Sequence, residues 1–155
     1  MTNEEILKEF NKCAEDPVHF IKTYIKIIHP LRGQVAFALY GFQTRIVTEI
    51  DSHRFNIIKK FRQAGVTTIM CAYALWFIIF QEKKNVMVVS IGDRESTSFL
   101  GRVVDMYDEL PSWLQPGVRE KNKHNLVLKT SSRIRSQPAG AGRGESVSLL
   151  IVDEA

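Results

Sequence analysis

Lys60-Phe61-Arg62-Gln63-Ala64-Gly65-Val66-Thr67-Thr68 is the stretch that decides the fold: a polar loop between two apolar runs. Phe55-Asn56-Ile57-Ile58, just before it, predicts a short strand, and residues 67–81, just after it, predict a buried helix. A phosphate needs backbone N–H groups aimed at it and the positive end of a helix dipole behind it, and a strand–loop–helix junction supplies both. Gly65 allows a tight turn and close approach, and Thr67 in the first helical turn can place its hydroxyl on a magnesium ion. The general phosphate-loop pattern is glycine, four residues, glycine, lysine, then serine or threonine. Gly65 and Thr67 keep that pattern, whereas Lys60 stands at the first glycine and Val66 at the lysine. Alone, the loop is equally compatible with an ordinary turn before a buried helix.

A second stretch shifts the balance. Ser148-Leu149-Leu150-Ile151-Val152-Asp153-Glu154 is an apolar β run that ends in two adjacent carboxylates. At the C-terminal end of a parallel strand the first carboxylate, Asp153, can hold magnesium or its waters, and the second, Glu154, can polarise a water in line with a terminal phosphate. A strand that merely ends in polar residues is common; a phosphate-loop candidate followed by such a strand is much rarer. Together the two stretches point to nucleotide hydrolysis.

Outward from these, residues 43–53 read as a helix, residues 85–91 as a valine-rich strand and residues 93–109 as a helix. Pro111 and Pro116 bound a turn around Trp113, and short strands are expected near residues 126–129 and 132–136. A glycine-rich loop, residues 139–144, leads to the last strand at residues 147–152. In residues 1–30 two helices are expected, one capped by Asn3 and one restarted by Asp16-Pro17 and running to Ile28. This order argues for an α/β fold with a mostly parallel sheet and flanking helices, a P-loop NTPase architecture behind a small N-terminal helical segment. The expected division is residues 1–41 for that segment and 42–155 for the nucleotide-binding core.

Composition agrees and excludes much. With 155 residues, 45% hydrophobic and 25% charged, the chain can bury a core and has no disordered bias. The net charge of +4 permits nucleic-acid binding without requiring it. The apolar run near residues 67–80 is too short for a membrane span, and the N-terminus carries no secretory signal. Cys13 and Cys71 have no metal-ligand spacing, so a reducing cytoplasm fits.

Two arginines add charge. Arg62 lies within the loop and can reach the β- and γ-phosphates in place of the lysine that Val66 displaces. Arg143, presented by glycines in Gly140-Ala141-Gly142-Arg143-Gly144, suits an arginine finger, although a solvated loop arginine is the plainer reading. In Tyr40-Gly41-Phe42-Gln43 the glutamine amide can donate to and accept from an adenine edge, and an aromatic can pack on the base.

Taken together, these residues resemble the large terminase subunit of tailed double-stranded DNA phages, in its T4-like branch. The resemblance rests on residues 17–24 and 37–43, the Arg62-Gln63-Ala64-Gly65-Val66-Thr67-Thr68 loop, Leu110-Pro111-Ser112-Trp113-Leu114-Gln115-Pro116-Gly117, Gly142-Arg143-Gly144 and Val152-Asp153-Glu154. It implies a packaging ATPase, using ATP and Mg²⁺, that moves double-stranded DNA into a procapsid as a homo-oligomeric ring on the portal protein. The implied partners include the small terminase subunit, and the implied location is the bacterial cytoplasm and then the procapsid portal, with no membrane. By the same resemblance Gln43 contacts adenine, Lys60, Arg62, Gln63, Ala64, Gly65, Val66, Thr67 and Thr68 hold the phosphates, and Thr67 and Asp153 serve magnesium. Glu154 is then the catalytic carboxylate, and either Arg62 in cis or Arg143 from a neighbour is the finger; whether Lys60 or Arg62 replaces the missing lysine stays open. The nuclease domain of the full-length family is expected to be absent here. By the same resemblance a further strand, expected after Ala155 and so missing here, would separate the strand at 55–58 from the one ending in Asp153-Glu154. Two other readings are a superfamily 2 helicase-like translocase and a nucleotide-binding fragment without turnover.

Overall fold

A computed structural model of the chain describes residues 1–140 and 145–154. Helix α1 (Asn3–Glu15) is capped one residue earlier than expected: the Thr2 hydroxyl accepts from Glu5 N while the Glu5 carboxylate accepts from Thr2 N at 2.7 Å. Asp16 closes α1 and caps α2 (Pro17–Tyr24), its carboxylate accepting from His19 N. The second helix does not continue to Ile28. Lys26–His29 (β1) pairs antiparallel with Gly33–Ala36 (β2), in register Lys26↔Ala36 to His29↔Gly33. The β-branched Ile27-Ile28 pair favours the pleat, and Gly33, at φ 70°, makes the turn that a helix reading overlooks.

Helix α3 (Gly41–Ser52) precedes the loop, and α4 (Val66–Phe80) follows it. Every face of α4 is apolar, so it must be enclosed. Trp76 Nε1 donates to Cys13 O at 2.8 Å, and Phe80 meets Phe10 and Phe20 edge-on, which seats α1 and α2 against α4.

Strand β3 (Asn85–Ser90), helix α5 (Asp93–Asp108), a 3₁₀ turn (Ser112–Leu114) and strands β4 (Val118–Lys121), β5 (Asn125–Leu128), β6 (Arg133–Pro138) and β7 (Leu149–Asp153) complete the described elements. The sheet order is β4-β5-β6-β3-β7. β3 runs parallel to both β6 and β7, while β5 is antiparallel to β4 and β6. The α/β class is as expected, but the sheet is mixed rather than mostly parallel, because β4, which had no clear sequence signal, folds back on β5 as a hairpin. Ile69, Leu75 and Ile78 of α4, Val86 and Val88 of β3, Phe99 and Leu100 of α5 and Ile134 of β6 form the centre of the core, each at 0–1% exposure. Burying side chains of this kind contributes about 1.5–3 kcal/mol apiece.

The strand expected at residues 55–58 does not form. Phe55 and Ile57 stand 83% and 102% exposed. The nearest sheet edge, β7, has no pairing with this segment; a cleft of about 240 Å³ separates them. A strand is defined by its neighbour's hydrogen bonds, and here the neighbour is out of reach.

Candidate active site

The 60–68 loop owes its shape to two left-handed residues, Gln63 at φ 64° and Gly65 at φ 76°. Gly65 is the N-cap of α4, and no side chain caps that helix. Its first-turn N–H groups therefore point out of the helix end toward whatever lies in the loop's hollow. That hollow, of about 250 Å³, is lined by the whole loop together with Arg102 and Glu154. Val66 is buried, so its side chain leaves the charge at this place to other residues.

Lys60 reaches across the hollow. Its ammonium lies 3.4 Å from Thr67 Oγ1, 3.4 Å from Asp153 Oδ1 and 3.3 Å from Glu154 Oε1. Thr67 Oγ1 donates to Asp153 Oδ2 at 3.0 Å. Residues at the two ends of the loop thus meet the end of β7, 86 residues beyond Thr67 in sequence. The spacing suits a divalent ion: oxygen ligands at about 2.0–2.1 Å from an octahedral Mg²⁺ sit about 3 Å apart when adjacent. Thr67 and Asp153 offer such a pair, and the Lys60 ammonium supplies positive charge beside it. Glu154 lies at φ 52° and its side chain is 65% exposed, so its carboxylate faces the open side of the hollow.

Gln43, expected at an adenine edge, lies instead behind the loop. It is buried, its Oε1 accepts from Tyr40 N at 2.9 Å and its Nε2 donates to Ala64 O at 3.1 Å. A Cβ on Gly65 would lie 2.8 Å from that Nε2, so the amide braces the loop at its tightest point. Arg62, Gln63 and Thr68 line the hollow. Arg143 falls outside the described residues. Glu145, two residues beyond it in sequence, is ion-paired to Arg135 of β6.

Two features had no sequence signal that singled them out. Arg102 lies in the middle of α5, where an arginine reads as a solvated helix face, yet it lines the hollow and makes no ion pair among the described residues. Phe61 is an exposed ring within the loop, 6.2 Å from Phe42 between centroids.

No family model matches the chain. Among solved structures it is similar to the crystal structure of the HK97 bacteriophage large terminase, with a TM-score of 0.70 over 91% of this chain. The fold is terminase-like. Sequence identity over that match is 17%, and the chain spans about a third of the terminase, 31% of its length. What this likeness carries is the fold alone.

Proposed function

We propose that this terminase-like chain is the ATP-binding and ATP-hydrolysing part of a viral DNA-packaging motor. The observation that carries the reading is the convergence of Lys60, Thr67, Asp153 and Glu154 at an uncapped helix N-terminus. An uncapped helix end attracts anions, the lysine adds a point charge, and two carboxylates beside it make sense when a cation and a water are to be handled there.

The loop N–H groups from Gln63 to Thr68, with Lys60 and Arg62, hold the β- and γ-phosphates. Thr67 and Asp153 would hold Mg²⁺, whose charge would offset that developing on the phosphoryl oxygens. Glu154 accepts a proton from the attacking water, as its exposed carboxylate at the mouth of the hollow allows. Lys60, already beside Thr67 and both carboxylates, would turn to the phosphate with a cation bound there, so of the two candidates for the missing lysine it fits better than Arg62. Arg143 acts as the finger, supplied by a neighbouring subunit. In the whole motor the partners are double-stranded DNA, the portal protein, the small terminase subunit and further copies in a ring, working in the host cytoplasm and at the procapsid portal. The T4-like branch assignment belongs to the same proposal.

Calorimetric titration of the chain with ATP and MgCl₂ tests the site. Gly65→Asp should abolish binding by placing charge and bulk at a left-handed position, and Thr67→Ala should weaken Mg²⁺-dependent binding by about tenfold or more, about 1.4 kcal/mol. Unchanged affinity in both variants would show that the nucleotide is elsewhere. A second reading, binding without turnover, draws on the Lys60–Glu154 ion pair, which ties up the catalytic carboxylate; tight ATP binding with no phosphate release in the full-length motor would favour it.

A further inference from the structure

The corner between α1 and α2, far from the phosphate loop in sequence, brings three different ligand types to one point. Glu9 and Cys13 lie one turn apart on α1, and His19 stands in the first turn of α2, just past Asp16-Pro17. Glu9 Oε1 accepts from His19 Nε2 at 2.6 Å, from Tyr24 OH at 3.0 Å and from the Cys13 thiol at 3.8 Å. The carboxylate oxygen, the sulfur and the imidazole nitrogen all lie within 4.8 Å of one another. Cys13 has no ligand spacing along the sequence; the corner supplies its partners in space.

A hydrogen-bonded corner accounts for His19 and Tyr24 but not for the third group. Cys13 is fully buried, and among the described residues its thiol has one hydrogen bond, a long contact to an oxygen that already takes two shorter ones. A carboxylate oxygen offers about two lone-pair sites, so three donors compete for it. A single cation that takes a lone pair from each of oxygen, sulfur and nitrogen removes the competition. The donor set selects that cation: thiolate, imidazole and carboxylate together suit Zn²⁺, whereas Mg²⁺ takes oxygen ligands. Tetrahedral ligands at about 2.0–2.3 Å from Zn²⁺ stand about 3.3–3.6 Å apart. The Glu9–His19 and Glu9–Cys13 separations, 2.6 and 3.8 Å, bracket that range. Glu9 and His19 are partly exposed, so both can turn by the small amount required and the ion has a way in. Outer partners are also in place. Tyr24 OH holds the Glu9 carboxylate, and the Thr23 hydroxyl, 3.4 Å from His19 Nδ1, can accept a proton there and leave the Nε2 lone pair to a metal.

We propose that Glu9, Cys13 and His19 form a Zn²⁺ site, with water in the fourth position, that pins α1 to α2. Cys13 enters as thiolate, its proton leaving to solvent, and neutral His19 keeps its proton on Nδ1. The pinned corner is seated on α4, since Cys13 O accepts from Trp76 Nε1 and Phe10 packs edge-on against Phe80. The site stands or falls independently of the nucleotide reading.

The test is calorimetric titration of the chelator-stripped chain with ZnCl₂ in excess MgCl₂, which competes for oxygen sites and leaves a sulfur–nitrogen site alone. CoCl₂ replaces ZnCl₂ in a parallel absorption experiment. Zn²⁺ should bind at one equivalent and raise the melting midpoint, because it binds the folded chain. Co²⁺ should give the intense visible bands of a tetrahedral ion and the charge-transfer band of a metal–thiolate bond. His19→Gln keeps a donor for Glu9, and Cys13→Ala removes the sulfur. Each should weaken Zn²⁺ by more than the about 10- to 100-fold that losing an outer partner costs, and abolish the rise in melting. Cys13→Ala should also remove the charge-transfer band. His19 is at the surface, so His19→Gln decides the matter even where Cys13→Ala, in the core, fails to fold. Zn²⁺ bound as tightly by His19→Gln as by wild type overturns the proposal, as does a wild-type chain that binds no Zn²⁺ or gives a Co²⁺ spectrum without a thiolate band.

Discussion

Lys60 shows how a side chain can hold a place for another charge. Its ammonium bridges Thr67, Asp153 and Glu154, which would otherwise put two carboxylates side by side without compensation. That an apolar strand would end at Asp153-Glu154 was legible from the sequence, and β7 ends at Asp153. Which basic residue serves them was not legible, since both Lys60 and Arg62 are close to Gly65 in sequence and only the fold decides which one crosses the hollow. Glu154→Gln keeps the shape of the side chain and removes its proton-accepting charge. In a packaging motor of the proposed kind, phosphate release should fall by about 10² to 10⁴ while ATP affinity stays within a few fold. Near-normal turnover would remove Glu154 from the mechanism.

At the level of elements, helices with a strong apolar period were read correctly, and errors fell where pairing decides. The α2 pattern runs on through Ile25 and Ile28, but Ile27-Ile28 and Gly33 form a hairpin whose strands are visible only once they face each other. Residues 55–58 have strand composition without a strand's partner. Gln43 was noticed for its amide, yet what that amide touches is Ala64 O, a contact between distant segments that no local pattern encodes. The α1–α2 corner provides a stability test. Glu9 Oε1 accepts from His19 Nε2 at 2.6 Å and from Tyr24 OH at 3.0 Å. The bond from His19 leads in holding the Glu9 carboxyl below its ordinary value of 4.5, against the opposing effect of burial. A carboxyl depressed in the folded state adds stability above its unfolded value and loses that contribution as pH falls through the folded one. Glu9→Gln should therefore lower the melting midpoint at pH 7 and make progressively less difference below about pH 4.5. A gap between the two proteins that is the same at pH 7 and pH 3 would show that Glu9 contributes through packing alone.

Across the whole molecule, the hollow is open on the Glu154 side, which leaves room for a residue from outside the chain. If Arg143 is supplied by a neighbour, full-length Arg143→Ala subunits should regain ATP turnover when mixed with Glu154→Gln subunits, each providing what the other lacks. Arg62 belongs to the loop of its own subunit, so Arg62→Ala should not be rescued in this way. The reverse pattern in a mixing titration would exchange the two roles.

The sheet edge carries the last consequence. Among the described residues β7 pairs with β3 alone, and on its other side it presents the backbone of Leu149–Asp153 to the cleft that separates it from residues 54–60. Val66, Met70 and Tyr73 of α4 also line that cleft, and Leu150 and Val152 are 52% and 55% exposed. An apolar edge of this kind, free of proline and lysine, is a template for another strand. The chain should accordingly self-associate with rising concentration. Placing lysine at the edge, in Leu150→Lys with Val152→Lys, should return it to a monomer with little change in melting, because both side chains are already half in water. Sedimentation velocity across a hundredfold range of concentration reads the result. A wild-type chain that stays monomeric throughout would mean that residues 54–60, though unpaired, shield the edge well enough to keep other strands away.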